Sequence, residues 1–235
     1  MDYYGYTWES MEVTTEDGYI LTTFHVTGTT EEGPFTPTMP PVLIQHGDYG
    51  DGAGWISSYG SGLPMHLQLA QAGYDVFVGS NRGTDYSAKH VSLTIDDPEY
   101  WAFSWAEMGL YDDVANVKAI KEETDAEKVF YLGYSQGTVQ MFYGLAHREE
   151  DFYADNLHKV LLFAPCTICP QDGPESKWED TLFSFPSVGV YDLYGPNFFP
   201  DEYDTICTEL GPESCSYASC DSCQGVSVQS ESHWW

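Results

Sequence analysis

The stretch GYSQG, residues 133–137, holds a serine between two glycines. It directly follows the apolar run VFYL and precedes a segment with helical character. This is the pattern of a tight, strained strand-to-helix turn. The glycines remove side chains that would collide there, and the serine Oγ is left at the top of a sheet, at the positive end of a helix dipole. A hydroxyl so placed attacks acyl carbonyls once a base takes its proton. Ser135 is therefore the candidate nucleophile. A second stretch, IQHGDYGDGAGW, residues 44–55, reads as the end of a strand running into a glycine-rich loop. A loop in that place contributes one amide to an oxyanion hole, and the residue after the nucleophile contributes the other. The candidate donors are the backbone N–H groups of Gln136 and Asp48.

Such a serine needs a histidine and an acid from later in the chain, in the order serine, acid, histidine. His46 precedes the serine and is assigned a structural role in its loop. After Ser135 come His147, His158 and His233. His147 falls at the end of the helix that follows the turn. His158 falls at the foot of a strand, on the wrong edge of a sheet, and His233 lies in the C-terminal region. None stands where the base is needed, so no triad acid or histidine is found among the 235 residues.

The elements that must position these groups alternate along the first 165 residues. MEVTTEDGYILTTFHVTG reads as a hairpin turning at Asp17-Gly18. Residues 42–47, 74–79, 129–132 and 158–165 are short apolar strands. Residues 63–73 and 110–124 carry helical spacing. Continuous apolar strands alternating with helices predict an α/β fold, a mostly parallel sheet with helices on both faces. After residue 165 the alternation stops. Residues 166–235, rich in Cys, Pro, Gly, Tyr and Asp, form a second segment.

Charge narrows the partners. Eight Lys+Arg against 37 Asp+Glu give a formal net charge of −29, which excludes nucleic acid and anionic membrane surfaces as ligands. No apolar run is long enough to span a bilayer. The first ten residues, MDYYGYTWES, have no apolar core of a signal peptide, and there is no Asn-x-Ser/Thr sequon. All six cysteines, Cys166, Cys169, Cys207, Cys215, Cys220 and Cys223, follow residue 165. An even, clustered count predicts local disulfides and an oxidising compartment, while the two C-x-x-C pairs leave structural zinc as the alternative. No cofactor or metal is called for.

The chain resembles the acid lipases, the lysosomal and gastric family of neutral-lipid hydrolases with the α/β-hydrolase fold. The resemblance rests on GYTWESMEVTTEDGYIL, PVLIQHG with a tryptophan soon after, AGYDVFVGSNRGTDYSAKH, YWAFSWAEMGLYDDVANV and YLGYSQGT. FAPCT, YGPNFFP and GVSVQSESHWW look like pieces of that family's cap. It implies an α/β-hydrolase core over residues 1–165 and a cysteine-rich cap or lid over 166–235. It implies hydrolysis of triacylglycerols or sterol esters through an acyl-enzyme on Ser135, with the amides of Gln136 and Asp48 as oxyanion hole. Asn81, Arg82, Trp105 and Glu107 take structural roles, and Cys207–Cys215 is the bridge it favours. Two residues depart from the family pattern. Asp48 stands where a leucine is usual, and Tyr134 where a histidine is usual. In the family the acid and the base follow the cap, on two further strand-helix units. The implied protein is a secreted or lysosomal enzyme of an acidic compartment, inactive as these 235 residues alone, and complemented by a C-terminal chain or self-associating. The alternative is a catalytically dead lipase-derived module that binds a lipid or a protein.

Overall fold

The computed structural model describes residues 4–48, 50–56, 62–148 and 151–165. The cap boundary, His233 and all six cysteines lie outside them. The described part is one twisted sheet with helices on both sides. Its strands are β1 (Tyr6–Thr14), β2 (Tyr19–Thr29), β3 (Gly33–Pro34), β4 (Pro41–Gln45), β5 (Asp75–Gly79), β6 (Lys89–His90), β7 (Val129–Tyr134) and β8 (Leu157–Phe163). The order is β1-β2-β5-β4-β7-β8, with β3 and β6 as short additions to β2. β1, β2 and β5 pair antiparallel, and β5, β4, β7 and β8 run parallel.

The central strands are apolar throughout because both faces are covered. In β4 the alternation is visible residue by residue. Val42 and Ile44 join Val76, Val78, Leu132 and Leu67 on one side, where helix α2 (Met65–Gln71) packs. Leu43 joins Phe77, Val117, Ile120, Tyr131 and Met141 on the other. That second side is covered by α4 (Asp113–Thr124) and α5 (Gln136–His147). Three shorter helices, α1 (Gly52–Ile56), α3 (Trp105–Glu107) and α6 (Phe152–Asn156), complete the set.

The hairpin forms where the Asp-Gly signal places it, and its turn is tied locally. Thr15 Oγ1 donates to Asp17 Oδ1 at 2.6 Å and accepts from Tyr19 N at 2.9 Å, and Gly18 takes φ +99°. Asp17 then serves a second partner. Arg82, from the loop after β5, is fully buried, and its Nη1 reaches Asp17 Oδ2 at 2.5 Å. Its Nη2 reaches Asp112 Oδ1 at 2.7 Å, its backbone N–H donates to Asp112 Oδ2 at 3.0 Å, and its guanidinium lies 3.9 Å over the Tyr19 ring. Every contact of Asp112 here is an acceptor's contact, so it is the carboxylate partner of a charged arginine.

The helix expected over residues 110–124 begins differently. Its regular part starts at Asp113, and Met108–Asp112 is a π turn. Gly109 lies in that turn. A Cβ there would come within 2.1 Å of Gln140 O, so the wider turn and the missing side chain let this segment press onto α5. Tyr153 donates its hydroxyl proton to the Gly109 carbonyl from the other side. The start of α3 follows the Ser-x-x-Glu rule. Ser104 Oγ accepts from Ala106 N at 3.1 Å and Glu107 Oε2 accepts from Ser104 N at 2.7 Å, a reciprocal cap.

Candidate active site

β7 delivers its chain to the turn, and the turn is strained as the glycine pattern requires. Ser135 has φ 51° and ψ −113°, a region costing about 1–3 kcal/mol for a residue with a side chain. Three hydrogen bonds hold it. Ser135 N donates to Phe163 O at 3.0 Å, and Ser135 O accepts from Thr138 N at 2.8 Å and from Thr138 Oγ1 at 2.6 Å. The two glycine positions that matter most are forced by close approach. A Cβ on Gly137 would lie 2.8 Å from Gln45 O and 2.9 Å from His46 O, and one on Gly47 would lie 2.8 Å from Ser135 Cβ. The end of β4 and the nucleophile turn are therefore in backbone contact, and α5 starts directly beneath the serine.

This brings together the residues expected to work together. Gln136 is the first residue of α5, half-buried, its side chain 3.7 Å from Met108 Sδ. Asp48 follows Gly47, which stands against Ser135, and is half-buried too. Trp55 packs edge-on against Tyr134, with ring centroids 6.0 Å apart.

The histidines are placed as well. His46 is buried, with Nδ1 2.7 Å from Gly47 O and Nε2 accepting from Asn81 N at 3.0 Å. Nδ1 therefore carries the ring proton and both nitrogens are engaged. Burial pushes its pKa below the ordinary value, so it stays neutral and holds the loop. His147 closes α5, its ring 4.3 Å from Tyr143. Twelve residues of helix place it roughly 18 Å from the serine end. His158 stacks on Phe130 at 5.0 Å near the start of β8, whereas Ser135 lies beside the end of that strand, roughly 16 Å away. None of these three reaches the Ser135 hydroxyl. Among the described residues no group of His, Cys, Asp or Glu is arranged to hold a metal ion.

Behind the turn lies a set of buried polar groups that the sequence reading passed over. Tyr131 Oη is 2.7 Å from Gly137 O and 3.3 Å from Asp113 Oδ2. Gln140 Nε2 donates to Asp113 Oδ1 at 2.8 Å, Asn81 Nδ2 to Gln140 Oε1 at 2.9 Å, and Gln45 Nε2 to Asn81 Oδ1 at 2.7 Å. The available signal was the helical stripe itself. Asp113, Val117 and Ile120 fall at i, i+4 and i+7, so an aspartate occupies an inward position of α4.

Comparison with known proteins agrees with this fold. Residues 1–59 match the family described as partial alpha/beta-hydrolase lipase region, and residues 40–198 match the alpha/beta hydrolase fold. Lipase member M of Homo sapiens is 36% identical over 196 residues, covering 83% of this chain and 45% of that protein. Lysosomal acid lipase/cholesteryl ester hydrolase of Homo sapiens is 34% identical over 223 residues, covering 92% and 53%. Gastric triacylglycerol lipase of Rattus norvegicus is 37% identical over 158 residues, covering 65% and 40%. The chain thus spans about half the length of the curated relatives it matches. Among solved structures, a puromycin hydrolase superposes with a TM-score of 0.50 at 14% identity, over 86% of this chain and 28% of that one.

Proposed function

The chain belongs to the alpha/beta hydrolase fold family, and we propose that within it this is the nucleophile-bearing part of an acid-lipase-like serine ester hydrolase. Ser135 attacks the carbonyl of a neutral-lipid ester, a triacylglycerol or a sterol ester, and forms an acyl-enzyme. The observation that carries this is the strained Ser135 turn in backbone contact with the Gly47 loop. The amides of Gln136 and Asp48 are the donors to the tetrahedral oxyanion. Similarity to a lysosomal acid lipase/cholesteryl ester hydrolase and to a gastric triacylglycerol lipase supports this substrate class, and the first supports a lysosomal setting; a secreted one is the alternative. Among the described residues His147 and His158 lie far from Ser135 and both ring nitrogens of His46 are engaged, so in this reading the triad acid and histidine come from outside the described residues, in keeping with relatives about twice as long.

The test is direct. The 235-residue chain, assayed on tributyrin beside size-exclusion chromatography with light scattering, is expected to be inactive and to elute as an oligomer, an aggregate or a complex. Without a base the serine hydroxyl stays neutral and a poor nucleophile. Among the described residues β8 is the last strand of the sheet, with Leu161 43% and Phe163 45% exposed, and such an edge recruits another strand. A monodisperse, hydrolytically active monomer would overturn this reading.

Asp48 carries a second expectation for the lengthened, active protein. A carboxylate ~5 Å from the developing oxyanion at an effective dielectric of about 20 opposes it by roughly 3 kcal/mol. Half-exposure lets solvent screen part of that. Asp48→Leu is therefore expected to raise kcat by about tenfold, some 1.4 kcal/mol of barrier. An unchanged or lower kcat would show that the carboxylate does not act on the oxyanion.

A further inference from the structure

Tyr131 has one hydroxyl proton and two oxygen neighbours. One is Gly137 O at 2.7 Å, the carbonyl of the second glycine of the nucleophile turn, and it only accepts. The phenol proton therefore belongs to that bond. The other neighbour, Asp113 Oδ2 at 3.3 Å, then faces a phenol oxygen that has no proton left to give. Both side chains are fully buried. A carboxylate in that place would set two acceptors against each other, whereas a carboxyl group donates across the gap.

Among the described residues the surroundings offer no cation to hold a carboxylate. Asp113 meets Tyr131 from β7, Gln140 from α5 and the field of Tyr153 from α6, and its chain neighbour, the last residue of the π turn, is the anionic Asp112. Arg82 is committed to Asp112 and Asp17, and Arg148 reaches Glu16 at 3.1 Å. Asp113 Oδ1 is satisfied by the Gln140 amide.

We propose that Asp113 is protonated in the folded protein and, as a neutral acid, is a positioning residue that locks the nucleophile turn through Tyr131. The proton on Oδ2 goes to Tyr131 Oη, and the Tyr131 proton goes to Gly137 O. Through Gln140, Asn81 and Gln45 the same group is tied to the end of β4, the strand that carries the Gly47 loop. One buried proton thus links both walls of the site. Burial, reinforced by the Asp112 charge, pushes the Asp113 carboxyl well above its ordinary range, in agreement with the hydrogen-bond count. The sign follows. A group whose folded pKa is raised stabilises most in acid, and that contribution fades as pH rises from about 4 through the folded value.

The experiment needs no hydrolysis, so its outcome is separable from the ester-hydrolase reading. Infrared spectra of the 235-residue chain at pH 6 are expected to contain the band of a protonated buried carboxyl. Asp113→Asn removes the band, and Tyr131→Phe shifts it because the proton loses its acceptor. Urea unfolding at one protein concentration supplies the second arm. Asparagine is neutral, donates to Tyr131 Oη and accepts from Gln140. The unfolding constant of the wild type relative to Asp113→Asn is expected to climb about tenfold per pH unit above ~pH 4, until Asp113 ionises in the folded state. A spectrum without that band, a band indifferent to both substitutions, or a ratio flat from pH 4 to 8 overturns the proposal.

Discussion

Ser135→Ala, made in the lengthened protein that includes the proposed base, is expected to remove ester hydrolysis by about 10⁶-fold, the size of the loss when the nucleophile of another serine hydrolase is deleted. The substitution should leave the fold in place. Alanine inherits the same φ of 51°, so it keeps the strain that serine already bears, and it deletes only the hydroxyl. The three backbone-directed hydrogen bonds of the turn use Ser135 N and O, not Oγ. Turnover of a short-chain p-nitrophenyl ester measures the loss, and mass spectrometry after treatment with an alkyl phosphonate locates it. An adduct on Ser135 in the wild type and none in the variant is the expected pair. Activity surviving within tenfold would remove Ser135 from its role.

The second large effect is one of stability. Arg82→Met strands Asp112, which is fully buried and receives three donors from Arg82. Removing one member of a buried pair leaves an uncompensated charge and costs about 3–5 kcal/mol, against a typical total of about 5–15 kcal/mol for a domain. The methionine retains part of the packing over Tyr19 but not the fork that also holds Asp17. Without its arginine, Asp112 has a folded pKa far above the unfolded one. The deficit is then greatest at neutral pH and shrinks as pH falls through that value. Urea titrations at pH 5 and pH 7 test both size and sign. The double variant Arg82→Met with Asp112→Leu is expected to recover a large part of the loss, because well-packed apolar groups replace buried ion pairs at little cost. A loss under 1 kcal/mol for Arg82→Met alone would mean that Asp112 is not a buried ion in the folded protein.

These two residues mark how far the sequence could be read. The strand-turn-helix at Ser135 was legible because its signal is local: an apolar strand, a glycine on each side, a helix beyond. The Asp17-Gly18 turn and the parallel core strands were legible for the same reason. Sequence order alone kept His46 from being taken as the base, and its two hydrogen bonds give that reading a physical content. The Asp113 group was not read. Its members come from β4, the loop after β5, α4, β7 and α5, and they meet only once the sheet has formed. An aspartate in an inward helical position looks like one more charge in an acidic chain until the helix face is drawn. The π turn before α4 was missed because it answers to contacts of Gly109 with α5 and Tyr153, not to its own residues.

The bond from Ser135 N to the Phe163 carbonyl sets an order of assembly. The turn is held from two directions, locally by Thr138 and across the sheet by the last strand described. A nascent chain that has emerged through α5 holds the glycines and the serine, yet lacks the acceptor that fixes the serine amide. The backbone of the proposed nucleophile is therefore fully fixed only after β8 has docked on β7.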